Sequence, residues 1–276
     1  MITAKRWALE DIPWDKFDQS KVNADLLKIA KAASLVEYNA TDYGAYLDNV
    51  FHGDAVFRNA AHTWVQEEIQ HGQALGKWAK LADPSFDFDS AIARFRENFR
   101  IDIEANASIR GSRAGELIAR CMVETGTSSY YAALAEAADE PVLKAVCQKI
   151  AADELRHYKL FYTHLKGYLE AENMSLFARL RVALGRISET EDDELACAYY
   201  AANAEPNAPY DRAYYSREYM SRAYGYYRHH HMERVVAMVF KACGLKPQTL
   251  TFRISQNIVW WFFSNRTRQM KKIAAI

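Results

Sequence analysis

Trp64-Val65-Gln66-Glu67-Glu68-Ile69-Gln70-His71 and Ile150-Ala151-Ala152-Asp153-Glu154-Leu155-Arg156-His157 are the two most informative stretches of this chain. Each places a glutamate three residues before a histidine: Glu68 before His71, and Glu154 before His157. On an α-helix residues i and i+3 share a face, so each pair can offer a carboxylate and an imidazole to one point in space. A further glutamate precedes each pair. Glu37 lies 31 residues before Glu68, and Glu124 lies 30 residues before Glu154. Matched offsets are what two helical hairpins need if each lone carboxylate is to meet its pair at the same height.

The surrounding sequence is helical throughout. The intervals between the six prolines are rich in Ala, Leu, Glu, Lys and Arg, which are good helix formers, and no segment sustains a two-residue alternation. The spacing predicts long helices over 20–50, 54–81, 112–138 and 141–172, with a helical connector over 89–106. On the first, Leu26, Ala30, Ala33, Glu37, Ala40, Gly44 and Leu47 form one inward stripe, a carboxylate among apolar and small residues. Asp83-Pro84 ends the second, and Pro141 suits the first turn of the fourth. Hairpin, long connector, hairpin is the connectivity of an all-α four-helix bundle with one crossover. We therefore expect an N-terminal segment over 1–19, the bundle over 20–172, and a helical C-terminal extension over 173–276 packed on it.

Burying one lone carboxylate costs several kcal/mol, so four converging in a bundle core require cations. Their charge of −4 is neutralised by two divalent ions. Four oxygen donors and two nitrogen donors suit iron or manganese rather than copper or a structural zinc.

Composition bounds the function. The chain has 276 residues, of which 50% are hydrophobic and 25% charged, as in an ordinary folded protein. Its 35 basic and 35 acidic residues cancel, which argues against a dedicated nucleic-acid binder. Cys121, Cys147, Cys197 and Cys243 are widely spaced with no CxxC pair, the pattern of reduced thiols. With no secretory signal and no run of about 18 apolar residues, the expectation is a cytoplasmic protein.

With these residues in place, the chain resembles the ferritin-like di-iron oxidase superfamily, and within it the soluble acyl-acyl-carrier-protein desaturases. Trp64 to Gly72 is similar to that family's tryptophan–Glu–Glu-x-x-His-Gly segment. Residues 150–157 resemble its Ile-Ala-Ala-Asp-Glu-x-Arg-His segment almost letter for letter, and Glu124-Thr125-Gly126-Thr127 keeps a threonine three residues after the glutamate. The likeness covers about residues 20 to 172. It implies a di-iron centre in which Glu68 and Glu154 bridge, while Glu37, Glu124, His71 and His157 are terminal. Asp153 would partner His71 and Glu67 would partner His157 from outside, Trp64 would lie close by, and Thr127 would be a catalytic proton-relay hydroxyl.

The same resemblance implies an oxidoreductase that uses dioxygen to take hydrogen from an unactivated C–H bond. The expected substrate is a fatty acyl chain, held by acyl carrier protein, that is desaturated or hydroxylated. A ferredoxin-like electron donor and a homodimer are expected. The donors also suit a manganese–iron pair. Other chemistries of the same centre are aldehyde deformylation, quinone or nucleoside hydroxylation, and non-catalytic iron binding. The chain departs from the plant desaturases in being shorter and in its last hundred residues. A radical tyrosine one turn beyond the first histidine is absent, Leu75 standing there.

In those last hundred residues the tyrosine-dense stretch over 199–227 is expected to line a substrate tunnel. Consecutive residues His229, His230 and His231 point about 100° apart on a helix, which favours a surface role over chelation. Trp260-Trp261-Phe262-Phe263, followed by Arg266, Arg268, Lys271 and Lys272, is expected to pack on the bundle or a second subunit, a membrane surface being the alternative. Arg179, Arg181 and Arg186 read as a solvated helix face, contact with an acidic carrier protein being the alternative.

Overall fold

The computed structural model describes residues 6–189 and 193–274, so part of the acidic run over 189–194 lies outside the described residues, as do the side chains of Lys271 and Lys272. Among the described residues the chain is all-helical, with no strand. The helices are α1 (Ala24–Tyr38), α2 (Ala40–Val50), α3 (Ala55–Ala82), α4 (Phe88–Asn98), α5 (Arg113–Ala137), α6 (Pro141–Glu172), α7 (Leu176–Ser188), α8 (Asp193–Asn203), α9 (Arg212–Ala223), α10 (His229–Cys243) and α11 (Leu250–Ala274).

Local chemistry sets the ends of the long helices. The side chains of Asn23, Asp54 and Ser112 each accept a backbone N–H of the first turn of α1, α3 and α5, satisfying donors that have no partner within the helix. Pro141 opens α6, and Glu140 caps it. The Glu140 carboxylate also accepts the Trp78 indole N–H at 2.8 Å and the Asp18 backbone N–H at 3.1 Å, so one cap ties the two hairpins to the N-terminal segment. α6 ends at Asn173, whose φ of 50° is left-handed.

The first predicted helix is interrupted. The sequence periodicity runs unbroken over 20–50, and every residue of its predicted inward stripe is buried. Yet the chain leaves helical geometry at Asn39, and α1 and α2 are separate helices. Asn39 is fully buried, accepts the Arg96 Nε–H at 3.0 Å and donates to Asp42 at 3.2 Å. An asparagine amide that finds such partners competes with the helix backbone. The connector is also shorter than predicted: α4 stops at Asn98, and 99–112 is loop and turn.

α1 pairs with α3, α5 pairs with α6, and α3 also packs on α6. α1 and α3 approach closely at Gly72, where a Cβ would stand 2.6 Å from the Tyr38 backbone nitrogen and 2.8 Å from the Ser34 carbonyl oxygen. Two apolar clusters fill the interior. One joins Ile29, Leu35, Trp78, Phe95, Val146 and Ile150, and the other joins Leu47, Phe57, Leu117, Ile118, Phe161 and Leu165. The six predicted metal-binding residues fall between these clusters along each of the long helices.

The C-terminal region covers this assembly. α8 packs on α1 and α4, α9 on α8 and α1, α7 and α10 on α5, and α11 on α10 and α9. The tyrosines of α8 and α9 pack edge to face on one another, as Tyr199 does on Tyr219 and Tyr200 on Tyr215. They belong to the first apolar cluster. On α11, Phe263 packs on Tyr224 and Tyr227, whereas Ile258, Trp261 and Phe262 are exposed. Among the described residues no helix is long and apolar enough to cross a membrane.

Candidate metal centre

Glu37 ends the inward stripe of α1, Glu68 and His71 lie on α3, Glu124 on α5, and Glu154 and His157 on α6. All six are buried. They form two overlapping groups, Glu37, Glu68, His71 and Glu154 in one and Glu68, Glu124, Glu154 and His157 in the other. Within each group the ligand atoms lie within 4.8 Å of one another. Glu68 and Glu154 are common to both, so each group could hold a cation and the two would share these carboxylates.

The imidazoles are oriented alike. Nδ1 of His71 faces inward, 3.0 Å from Glu68, 3.3 Å from Glu154 and 3.7 Å from Glu37. Nδ1 of His157 lies 3.0 Å from Glu68 and 3.6 Å from Glu124. Each Nε2 points outward to a carboxylate on the opposite hairpin: His71 to Asp153 at 3.1 Å, and His157 to Glu67 at 2.7 Å. A ring held this way turns its inner nitrogen toward a cation and is made more basic by the outer carboxylate.

Four further residues support this layer, and sequence reasoning did not assign them a role. Trp7 donates its indole N–H to Asp153 at 2.7 Å and lies parallel to the His71 ring. Arg6 pairs with Glu67 at 2.7 Å, and Arg156 pairs with both Asp153 and Glu67. Tyr131 donates its hydroxyl hydrogen to Glu37. Its signal was present, since Glu124, Thr127 and Tyr131 follow the i, i+3, i+7 spacing of one helix face. Trp7 and Arg6 offered none, because they lie in a non-periodic segment brought in by tertiary contact. Thr127 donates toward the Val123 carbonyl at 3.2 Å and toward Glu154 at 2.7 Å, so it reaches the cluster as well as the turn behind it. Trp64 makes no hydrogen bond through its indole N–H; it is a wall of the cavity beside Glu68.

The electrostatics call for a cation. Burial, reinforced by the neighbouring charge of Glu68, pushes Glu37 well above the usual carboxylate range. Burial and the charge of Glu154 do the same to Glu124. Burial opposes charge on Glu68 too, but His157 and His71 hold it well below its ordinary value. Both imidazoles are driven toward protonation by the carboxylates around them, against their own burial. Both Glu124 oxygens, Oε1 of Glu154 and Nδ1 of His157 are buried with no hydrogen-bond partner. Groups this costly to bury without partners are what bound cations satisfy, and the oxygen-rich donor set fits iron or manganese.

A cavity of about 70 Å³ adjoins the cluster. Glu37, Glu68, Glu124, Glu154 and Thr127 line its inner end, and Arg186 of α7 and Glu194 of α8 also line it. The tyrosines of 199–227, expected along a tunnel, are absent from its lining; they are spent on packing.

A second convergence joins Glu136 to His230 and His231, at 2.9 and 3.3 Å. Nδ1 of His231 accepts the Arg228 backbone N–H at 3.0 Å. Its Nε2 therefore carries the hydrogen in the neutral ring and offers no lone pair to a cation. His229 and His230 are exposed, as a surface or interface role requires, whereas His231 is buried. All four cysteines are buried and free. Compared with protein-family models and with curated proteins, the chain matches none.

Proposed function

We propose that this protein is a dioxygen-dependent di-iron oxidase built on a ferritin-like four-helix bundle, acting on an unactivated C–H bond of an organic substrate. The observation that carries the reading is the pair of overlapping donor groups that share Glu68 and Glu154, each completed by one terminal glutamate and one histidine. The motif resemblance points to a fatty acyl substrate, carrier-bound, to be desaturated or hydroxylated, with electrons from a ferredoxin-like donor.

Iron, which Glu37, Glu68, His71, Glu124, Glu154 and His157 would hold, would supply the redox chemistry with dioxygen. The chain's own residues do the rest. Asp153 and Glu67, held below the ordinary carboxylate range against their burial by the imidazoles they face and then by Arg156, fix those two rings. Thr127 keeps a hydroxyl proton between Glu154 and the cavity, where it can be delivered or returned. The apolar clusters on either side exclude water from the layer.

The cavity volume favours a second reading, an oxidase of a smaller molecule. About 70 Å³ lies far below the ~300–1,000 Å³ of pockets that take drug-sized ligands. Metal analysis of the wild type and of Glu154→Ala tests the centre, with about two irons per chain expected, falling sharply in the variant. Protein that stays metal-free after anaerobic ferrous loading would overturn it. Mass spectrometry of acyl-carrier and free-acid substrates after single turnover with dioxygen then separates the two substrate readings.

A further inference from the structure

Arg120 lines the cavity, and the two-metal chemistry does not use it. It lies on α5 one turn before Glu124, more than nine-tenths buried, and lines the same cavity as the glutamates. Two of its three faces are engaged. Its Nε donates to Glu116 at 3.2 Å, and its guanidinium lies over the Tyr43 ring, 4.9 Å from the centroid. Glu116 is in turn held by the Tyr46 and Ser108 hydroxyls, at 2.9 and 2.8 Å, so it is fixed in place. Among the described residues neither Nη nitrogen hydrogen-bonds to protein.

A buried guanidinium immobilised on its Nε edge and one face leaves its planar Nη fork for something else. That fork matches the two oxygens of a carboxylate. The charges around the cavity permit such a guest. Two divalent cations would neutralise the four core glutamates, and Glu194 already accepts the Tyr43 hydroxyl at 2.8 Å. Arg186 also lines the cavity and pairs with Glu189 at 3.8 Å. Arg120 and Glu124 leave α5 one helical turn, about 5.4 Å, apart and line the same cavity, so a molecule held at Arg120 can extend its chain toward the glutamate layer. The small volume fits a short acid and leaves little room for a long chain.

We propose that Arg120 anchors the carboxylate of a small aliphatic acid, whose chain lies along α5 toward Thr127 and Glu124. This inference rests on the two-metal reading above, and the experiment keeps the two apart.

Ferrous-loaded protein, kept anaerobic and assayed for iron content, is titrated calorimetrically with butyrate and hexanoate, with butyramide and hexanamide, and with inorganic phosphate. The wild type is expected to bind the acids about tenfold or more tightly than the amides, and more tightly than phosphate. Arg120→Gln should keep its iron and lose that preference, while Arg120→Lys should recover part of it. Acid and amide binding alike in the wild type, or failing to bind at all, would overturn the proposal. So would an acid preference that survives in Arg120→Gln, since direct binding to the metals would then explain it, or phosphate binding as well as the acids. Loss of iron from the wild type would instead overturn the two-metal reading. If Arg120→Gln does not fold, Arg120→Lys decides in its place: an acid preference undiminished in that variant overturns the proposal, and a weakened one supports it.

Discussion

Asp153 of α6 faces Nε2 of His71 of α3 at 3.1 Å, on the side of the ring away from the buried glutamates. The contact crosses from one hairpin to the other, and Trp7 and Arg156 hold the carboxylate from outside. Asp153→Asn leaves a neutral side chain of the same shape and removes the negative charge behind the ring. Metal affinity should fall about 10–100-fold, with a smaller loss for Trp7→Phe. Competition with a chelator of known strength measures it. An affinity unchanged in Asp153→Asn would mean that the pair positions the helix and nothing more.

Metal uptake should expel protons. In the metal-free cluster Glu37 and Glu124 are held well above the carboxylate range, and His71 and His157 well above the usual imidazole value. Groups with raised values hold their protons to higher pH than usual, and a cation must displace those still bound. Affinity therefore rises with pH and weakens as the solution is acidified. Calorimetry at about pH 6 and about pH 8, in buffers of different ionisation enthalpy, reads both the affinity and the protons released. Binding that is independent of pH across this range would contradict the protonated cluster.

Most of this layer was legible in the sequence because helices are periodic. Glu68 and His71 share a face at i+3, and the offsets of Glu37 and Glu124 place them opposite their pairs, so the six converging side chains follow from spacing alone. The partners of Nε2, Asp153 and Glu67, were implied by the motif resemblance and not by spacing. What was not legible depends on contacts between distant segments. The break at Asn39 is set by Arg96 of α4, which no local pattern announces. Trp7 enters from a stretch without periodicity. The tyrosines over 199–227 looked suited to a tunnel because a phenol has apolar walls and a polar tip, but the same property lets them pack on each other.

Gly72 follows His71 and is where α1 and α3 come closest. The Cβ of Gly72→Ala would meet backbone atoms of Ser34 and Tyr38, which cannot swing aside as a flexible side chain would. The helices must separate, and the shift falls beside Glu37 and His71. We expect a loss of about 1–3 kcal/mol in urea unfolding of the metal-free protein, together with weaker metal binding. Normal stability and normal metal binding in this variant would show that the approach is not tight in solution.

Lys31 and Asp83 tie α1 to the end of α3 at 2.6 Å, and the ammonium, aided by Ser85, holds the Asp83 carboxyl at about 2. Because the folded value lies below the ordinary 3.8, the bond contributes stability above about pH 4 and loses it as the pH falls toward about 2. Asp83 retains partial exposure, so solvent screening reduces the contribution. Asp83→Asn should therefore cost about 1–2 kcal/mol at neutral pH, and the gap from the wild type should narrow as the pH drops below about 4. Urea unfolding of both proteins at several pH values reads the gap directly. A difference that stays constant down the series would assign the effect to the hydrogen bonds with Ser85, which an asparagine can partly replace, and not to the charge on Lys31.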